Sequence, residues 1–89
     1  MIYEIWKSNG DVNEIHTEKP LTLSEQQKLV GGYITYMNIK VGGEDAVACV
    51  NDEGLLQDLP RNELLPAIVG DAIIGKIRYG KFIGLTNLI

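Results

Sequence analysis

Residues 22–33, TLSEQQKLVGGY, decide the fold because they contain a helix together with the signals that start and stop it. Thr22 and Glu25 have the spacing of a capping box, in which each side chain accepts a hydrogen bond from the backbone N–H of the other residue. Gly31 and Gly32 follow, and glycine readily adopts the left-handed conformation that ends helices. This segment predicts one main helix at about residues 23–30.

Alternating apolar and polar residues on both sides of the helix predict antiparallel strands. Six segments show strand character: residues 2–7, 12–18, 33–40, 46–50, 68–77 and 81–88. Residues 55–65 are less regular and predict a short helical turn that Asn62 caps and Pro66 ends. We therefore expect an α+β single domain over residues 1–89, with antiparallel sheet in the order β-β-α-β-β-(short helix)-β-β.

Length and charge exclude several classes of protein. A chain of 89 residues forms one domain, since two domains would each fall below about 50 residues. With 12 acidic and 8 basic residues, it has no overall attraction to DNA or to a membrane surface. Neither a signal peptide nor a membrane-spanning segment is recognisable, and we expect a cytoplasmic protein.

Candidate catalytic and metal-binding residues are few. The single cysteine, Cys49, lies among small apolar residues, which is typical of a buried cysteine without a neighbouring base. It also excludes a disulfide framework and a cysteine-cluster zinc site. The single histidine, His16, stands between Glu14 and Glu18, a pattern that favours an exposed polar face over a metal site. We expect no catalytic residues, no metal and no cofactor, and hence no enzyme.

Residues 75–81, GKIRYGK, match the spacing of a phosphate-binding P-loop. Phe82 occupies the position where serine or threonine would ligate magnesium, and no helix follows to direct its amides at phosphates. The segment therefore predicts a hairpin bracketed by glycines.

The same hairpin concentrates positive charge. Residues 73–89 contain Lys76, Arg78 and Lys81 and no acid, whereas all 12 acidic residues precede them. Such a hairpin could bind a phosphorylated ligand, with Arg78 forming a bidentate contact and Tyr79 stacking on a ring. The alternative is a set of solvated charges that keep a sheet edge from aggregating.

The candidate ligand-binding set also includes Tyr33, Arg61 and Asn62. Tyr33 and Tyr36 have opposite parity in a strand, so one of them should face outward and line a ligand site or a subunit contact. The whole set comprises Lys76, Arg78, Tyr79, Lys81, Tyr33, Arg61 and Asn62.

Several short blocks carry a resemblance to a known family. They are Leu29-Val30-Gly31-Gly32-Tyr33-Ile34, Val50-Asn51-Asp52-Glu53-Gly54, Leu59-Pro60-Arg61-Asn62, Gly70-Asp71 and Phe82-Ile83-Gly84-Leu85-Thr86. In this order and spacing, the chain resembles a small uncharacterised family, a domain of unknown function from Gram-positive bacteria, their plasmids and their phages. The basic run at 75–81 is not part of the resemblance.

The resemblance implies a phage or mobile-element accessory protein that acts by stoichiometric binding. A counter-defence factor that sequesters a phosphorylated, cyclic nucleotide signal in the host cytoplasm is the function we expect. The alternative is a module that docks on a host protein and inhibits a host enzyme, through the Tyr33 face or an exposed strand edge. A homo-oligomer is expected, because a short chain encloses a sizeable ligand most readily by sharing the cavity with a copy of itself.

Overall fold

The computed structural model describes residues 1–85, which form an antiparallel sheet and one helix. The elements are β1 (Ile2–Trp6), β2 (Val12–His16), α1 (Leu23–Val30), β3 (Ile34–Val41), β4 (Glu44–Asn51), β5 (Ala72–Arg78) and β6 (Lys81–Ile83). The sheet order is β2-β1-β5-β4-β3, and β6 pairs with the far end of β5. The antiparallel sheet and its single main helix are confirmed.

The helix has the bounds that its capping signals predict. The Thr22 hydroxyl accepts a hydrogen bond from the Glu25 N–H at 3.1 Å, and the Glu25 carboxylate accepts one from the Thr22 N–H at 2.9 Å. Gly31 ends the helix with a φ of 83° and donates its N–H to Gln27. These local contacts set where the helix begins and ends, and the burial of Gln26 and Val30 against the sheet stabilises it.

The sheet is covered on both faces. One face packs against α1 through a buried cluster: Tyr3, Leu21, Val30, Val47, Cys49, Ile73 and Phe82. The other face carries a second cluster that includes Ile68 from the connection between β4 and β5: Ala46, Ala48, Val50, Ile68, Ala72 and Ile74. Burial on both faces explains why residues 46–50 are continuously apolar rather than alternating.

The predicted short helix within residues 55–65 is wrong. Residues 52–58 form turns, and Asn62 accepts hydrogen bonds from the N–H groups of Leu64 and Leu65 with no helix following. Pro66 lacks an N–H, and so short a segment gains too few backbone hydrogen bonds to form a helix.

The bounds of the last two strands also differ from the prediction. Strand β5 begins at Ala72 rather than at residue 68, because Val69 pairs only with Arg61 in an isolated bridge. Strand β6 ends at Ile83, and residues 86–88 of the predicted strand lie outside the described residues.

Strand β5 changes neighbours at Gly75. Up to that residue it pairs with β4, and β1 pairs with it as far as Ile74, whereas residues 76–78 pair with β6. A Cβ atom on Gly75 would lie 2.4 Å from the backbone oxygen of Ile83, so this close approach requires glycine. The β5–β6 hairpin therefore extends past the part of β5 that β1 and β4 cover.

Candidate functional site

Three positively charged side chains share one face of the β5–β6 hairpin. Arg78 lies directly opposite Lys81, and Lys76 lies two residues before Arg78, so all three project from the same side. With Tyr79 they line an open groove of about 580 Å³, which residues 83–85 complete. We call this the hairpin groove.

The cations of the hairpin groove form no ion pair within the described chain, although Asp45, which pairs with Lys40, lines a neighbouring groove with Lys76 and Arg78. The ion pairs among residues 1–85 are Lys7–Asp71, His16–Glu14 and Lys40–Asp45, and none includes a hairpin residue. Like charges directly opposite each other destabilise an antiparallel pair, as Arg78 and Lys81 do here. A bound anion would relieve this repulsion.

Tyr79 occupies a strained position at the tip of the hairpin. Its φ is 51° and that of Gly80 is 75°, and two successive positive φ values are the signature of a type I′ turn. Asparagine, aspartate or glycine is preferred there, whereas a bulky side chain costs about 1–2 kcal/mol. The ring is fully exposed, so packing does not offset this strain and the ring is available to stack.

The other predicted ligand-binding residues lie elsewhere. Asn62 is completely buried, and its amide N–H₂ donates to the carbonyls of Trp6 and Gly70 at 3.0 and 2.9 Å. Since its oxygen also accepts two hydrogen bonds, no group of Asn62 remains for a ligand. The Arg61 guanidinium donates to the Pro66 carbonyl and lies outside the hairpin groove.

Tyr33, immediately before β3, and Tyr36, within β3, differ in exposure. Tyr33 is 68% exposed and lines a small groove of about 220 Å³ beside Gln57. Tyr36 faces the helix, where its hydroxyl donates to Gln26 at 2.6 Å and its ring packs against Phe82. Tyr33 is thus the outward residue of the pair, but it does not join the hairpin groove.

The sequence did not predict an exposed, partly apolar groove beside the turn after β4. Leu55 and Leu56, in the turn after β4, are 81% and 84% exposed. They line an open groove of about 550 Å³, which we call the acidic groove because Asp52 and Glu53 also line it. Two adjacent leucines in a turn beside acidic residues were the available signal, but the predicted helical turn assigned that segment a different role.

Cys49 and His16 are the residues that the sequence offered for catalysis or metal binding. Burial raises the pKa of the Cys49 thiol to about 12, so the reactive thiolate is suppressed. His16 is exposed and lies 3.2 Å from a Glu14 oxygen. Within residues 1–85, no group of three or more metal-ligating side chains occurs. No helix in this part of the chain is long and apolar enough to cross a membrane.

The sequence model of a domain of unknown function, DUF3846, matches residues 5–89. The chain belongs to this family. No curated protein and no solved structure gives a significant match. In this DUF3846 domain, two residues from the sequence blocks that carry the family resemblance make hydrogen bonds between different segments of the fold. The Asn51 amide joins the end of α1, through Val30, to Gln57, and Asp71 accepts hydrogen bonds from Lys7 and Ser8.

Proposed function

We propose that this DUF3846 domain is a non-catalytic binding protein that takes a phosphorylated nucleotide in its hairpin groove. One observation carries the proposal: three cations without a carboxylate partner in the described chain share a face beside a strained, fully exposed tyrosine. Strain at an exposed residue is retained where the surrounding structure or a function requires it, and no packing of Tyr79 requires it here.

The groove supplies the contacts that such a ligand needs. The Arg78 guanidinium can hold two phosphate oxygens at once, while Lys76 and Lys81 act as point charges on either side. The Tyr79 ring can stack on the base, a contact worth about 1–3 kcal/mol per base. The groove volume of about 580 Å³ falls in the range of small-molecule sites.

The biological setting of the proposal comes from the sequence resemblance. We propose that the domain belongs to a phage or other mobile element and sequesters a cyclic nucleotide signal of host defence in the host cytoplasm. Stoichiometric sequestration requires binding without turnover, and the burial of Cys49 agrees with that requirement.

Isothermal titration calorimetry with a panel of cyclic nucleotides and ADP-ribose derivatives tests this function. We expect at least one of them to bind the wild-type chain and the double variant Arg78→Glu/Lys81→Glu to lose that binding. The matched control is Lys19→Glu/Lys28→Glu, which changes the net charge equally at two exposed lysines outside the hairpin groove. The proposal is overturned if the wild-type chain binds none of these compounds, or if the two double variants lose the same amount of binding.

Docking on a host enzyme is the second candidate, and the exposure of Tyr33 favours it. Tyr33 lies immediately before β3, whose pairing within the described chain is with β4 alone. A host protein that is captured equally by the wild type and by Arg78→Glu/Lys81→Glu, but not by Tyr33→Ala, would favour docking over nucleotide binding.

A further inference from the structure

The proposed nucleotide site does not include the acidic groove, which is exposed and has a largely apolar lining beside its acidic residues. Leu55 and Leu56 rise at its edge, and Met37 and Ile68 contribute to its lining. Leu55 and Leu56 are both more than four-fifths exposed and adjoin the apolar lining, so they form one contiguous apolar patch beside charged residues. Such a patch is typical of an interaction site.

Its charge is complementary to that of the β5–β6 hairpin. The turn over residues 52–58 carries Asp52, Glu53 and Asp58, whereas the hairpin carries three cations and no acid. The side chains of Asp52 and Glu53 form no hydrogen bond or ion pair with residues 1–85, so they are available to an incoming cation. Arg61 also lines the groove, and its guanidinium donates to the Pro66 carbonyl and keeps its positive charge, so the two carboxylates leave the lining with one excess negative charge.

The shapes correspond as well. Tyr79 stands at the tip of a two-residue turn, fully exposed, with Arg78 and Lys81 on either side of the tip. The acidic groove is an open concavity of about 550 Å³ with an apolar lining, large enough to receive a tyrosine side chain. Tyrosine and arginine are enriched among the residues that dominate the binding energy of protein interfaces, where they fill well-packed pockets.

We infer that the hairpin tip of one copy of this chain inserts into the acidic groove of a second copy. Tyr79 enters between the two leucines and the sheet, and Arg78 and Lys81 face Asp52 and Glu53 of the second copy. Because the two surfaces are different parts of the chain, the contact is head-to-tail. Such contacts build a ring if the rotation closes and an open chain if it does not.

The contact also competes with ligand binding. Insertion covers Tyr79, Arg78 and Lys81, which are the residues that the proposed function assigns to the nucleotide. Nucleotide and second copy therefore exclude each other, and a bound nucleotide disperses the assembly. This consequence rests on the proposed function, whereas the head-to-tail contact itself does not.

A charge-swap experiment tests the contact. Arg78→Glu/Lys81→Glu gives an acidic hairpin facing an acidic groove, and Asp52→Lys/Glu53→Lys gives a basic hairpin facing a basic groove. In sedimentation velocity at moderate salt, we expect each variant alone to self-associate at least about tenfold more weakly than the wild type, a difference of about 1.4 kcal/mol. In an equimolar mixture, each contact between one variant and the other pairs opposite charges, so association should recover from the level of either variant alone toward that of the wild type.

A second pair of variants separates this contact from nucleotide binding. Leu55→Ser/Leu56→Ser should weaken self-association and, because the competing contact is lost, should bind nucleotide at least as tightly as the wild type; the control Leu23→Ser, at another exposed leucine, should change neither property. A wild-type chain that stays monomeric at every concentration measured, or a mixture that does not recover, overturns the inference. Absence of nucleotide binding with intact self-association overturns the proposed function alone.

Discussion

The hydroxyl of Tyr3 donates a hydrogen bond to the backbone carbonyl of Phe82 at 3.0 Å, which ties β1 to β6 across 79 positions of sequence. The two rings also pack with their centroids 5.3 Å apart, and the same hydroxyl accepts the N–H of Leu21. Phe82 follows Lys81 directly, so this contact anchors the arm of the hairpin that carries one of its cations. The basic hairpin is thus held by the core even though its tip is exposed.

Removal of this hydroxyl should destabilise the fold. In Tyr3→Phe the Phe82 carbonyl and the Leu21 N–H lose their partner in a fully buried place, which should lower the free energy of unfolding by about 1–3 kcal/mol. Urea unfolding followed by circular dichroism measures the change. Tyr33→Phe is the control, because Tyr33 is largely exposed and should show no change. Equal stabilities for the two variants would contradict this role for Tyr3.

Replacement of Asn62 should lower the free energy of unfolding still more. Its side chain supplies the hydrogen bonds that regular secondary structure would otherwise supply in the connection before β5. Asn62→Ala leaves the carbonyls of Trp6 and Gly70 and the N–H groups of Leu64 and Leu65 without their partner. We expect a loss of about 2–4 kcal/mol in the free energy of unfolding, measured by thermal and urea unfolding.

An exposed asparagine provides the comparison. Asn13, on the outer strand β2, should tolerate alanine with little change. If Asn62→Ala were as mild, Asn62 would not organise this segment, and its assignment to the ligand-binding set would regain support.

The stability of the fold should fall at alkaline pH. Burial raises the pKa of Cys49 from its ordinary value near 9 to about 12, so the folded state holds a proton that the unfolded state releases between these values. The contribution is therefore complete below about pH 9 and is lost as the pH rises toward 12. Burial also raises the pKa values of Tyr3 and Tyr36, which act in the same direction.

Urea unfolding at about pH 8 and about pH 10.5 tests this dependence. The wild type should lose more stability between the two conditions than Cys49→Ala, whose remaining decline reports the tyrosines. A thiol-reactive chromogenic reagent should modify the native protein far more slowly than the unfolded chain. Rapid modification of the native protein would contradict the burial of Cys49 and reopen it as a nucleophile.

The parts of the fold that were predictable from sequence depend on local contacts. The helix follows from a capping box that spans four residues, and the basic hairpin follows from a two-residue turn, so its four site residues are brought together by proximity in the chain. The structure of residues 55–71 was not predictable, because it depends on the hydrogen bond from Asn62 to Trp6 across 56 positions. The acidic groove was missed for the same reason: Met37 and Leu55 meet there only after β3 has paired with β4.

Tyr79 provides the sharpest test of whether the hairpin is shaped for binding or for stability. Asparagine tolerates a φ of 51° far better than tyrosine, so Tyr79→Asn should raise the free energy of unfolding by about 0.5–1 kcal/mol. The same change removes the exposed ring, so calorimetry should show a loss of nucleotide affinity of about tenfold or more. The control is Tyr33→Asn, which removes an exposed ring outside the hairpin groove and should bring neither effect. A gain in stability with unchanged nucleotide affinity would mean that the tyrosine at this strained position does not contribute to nucleotide binding. A gain in stability with lost affinity would show that the strain is tolerated because the exposed ring binds the nucleotide.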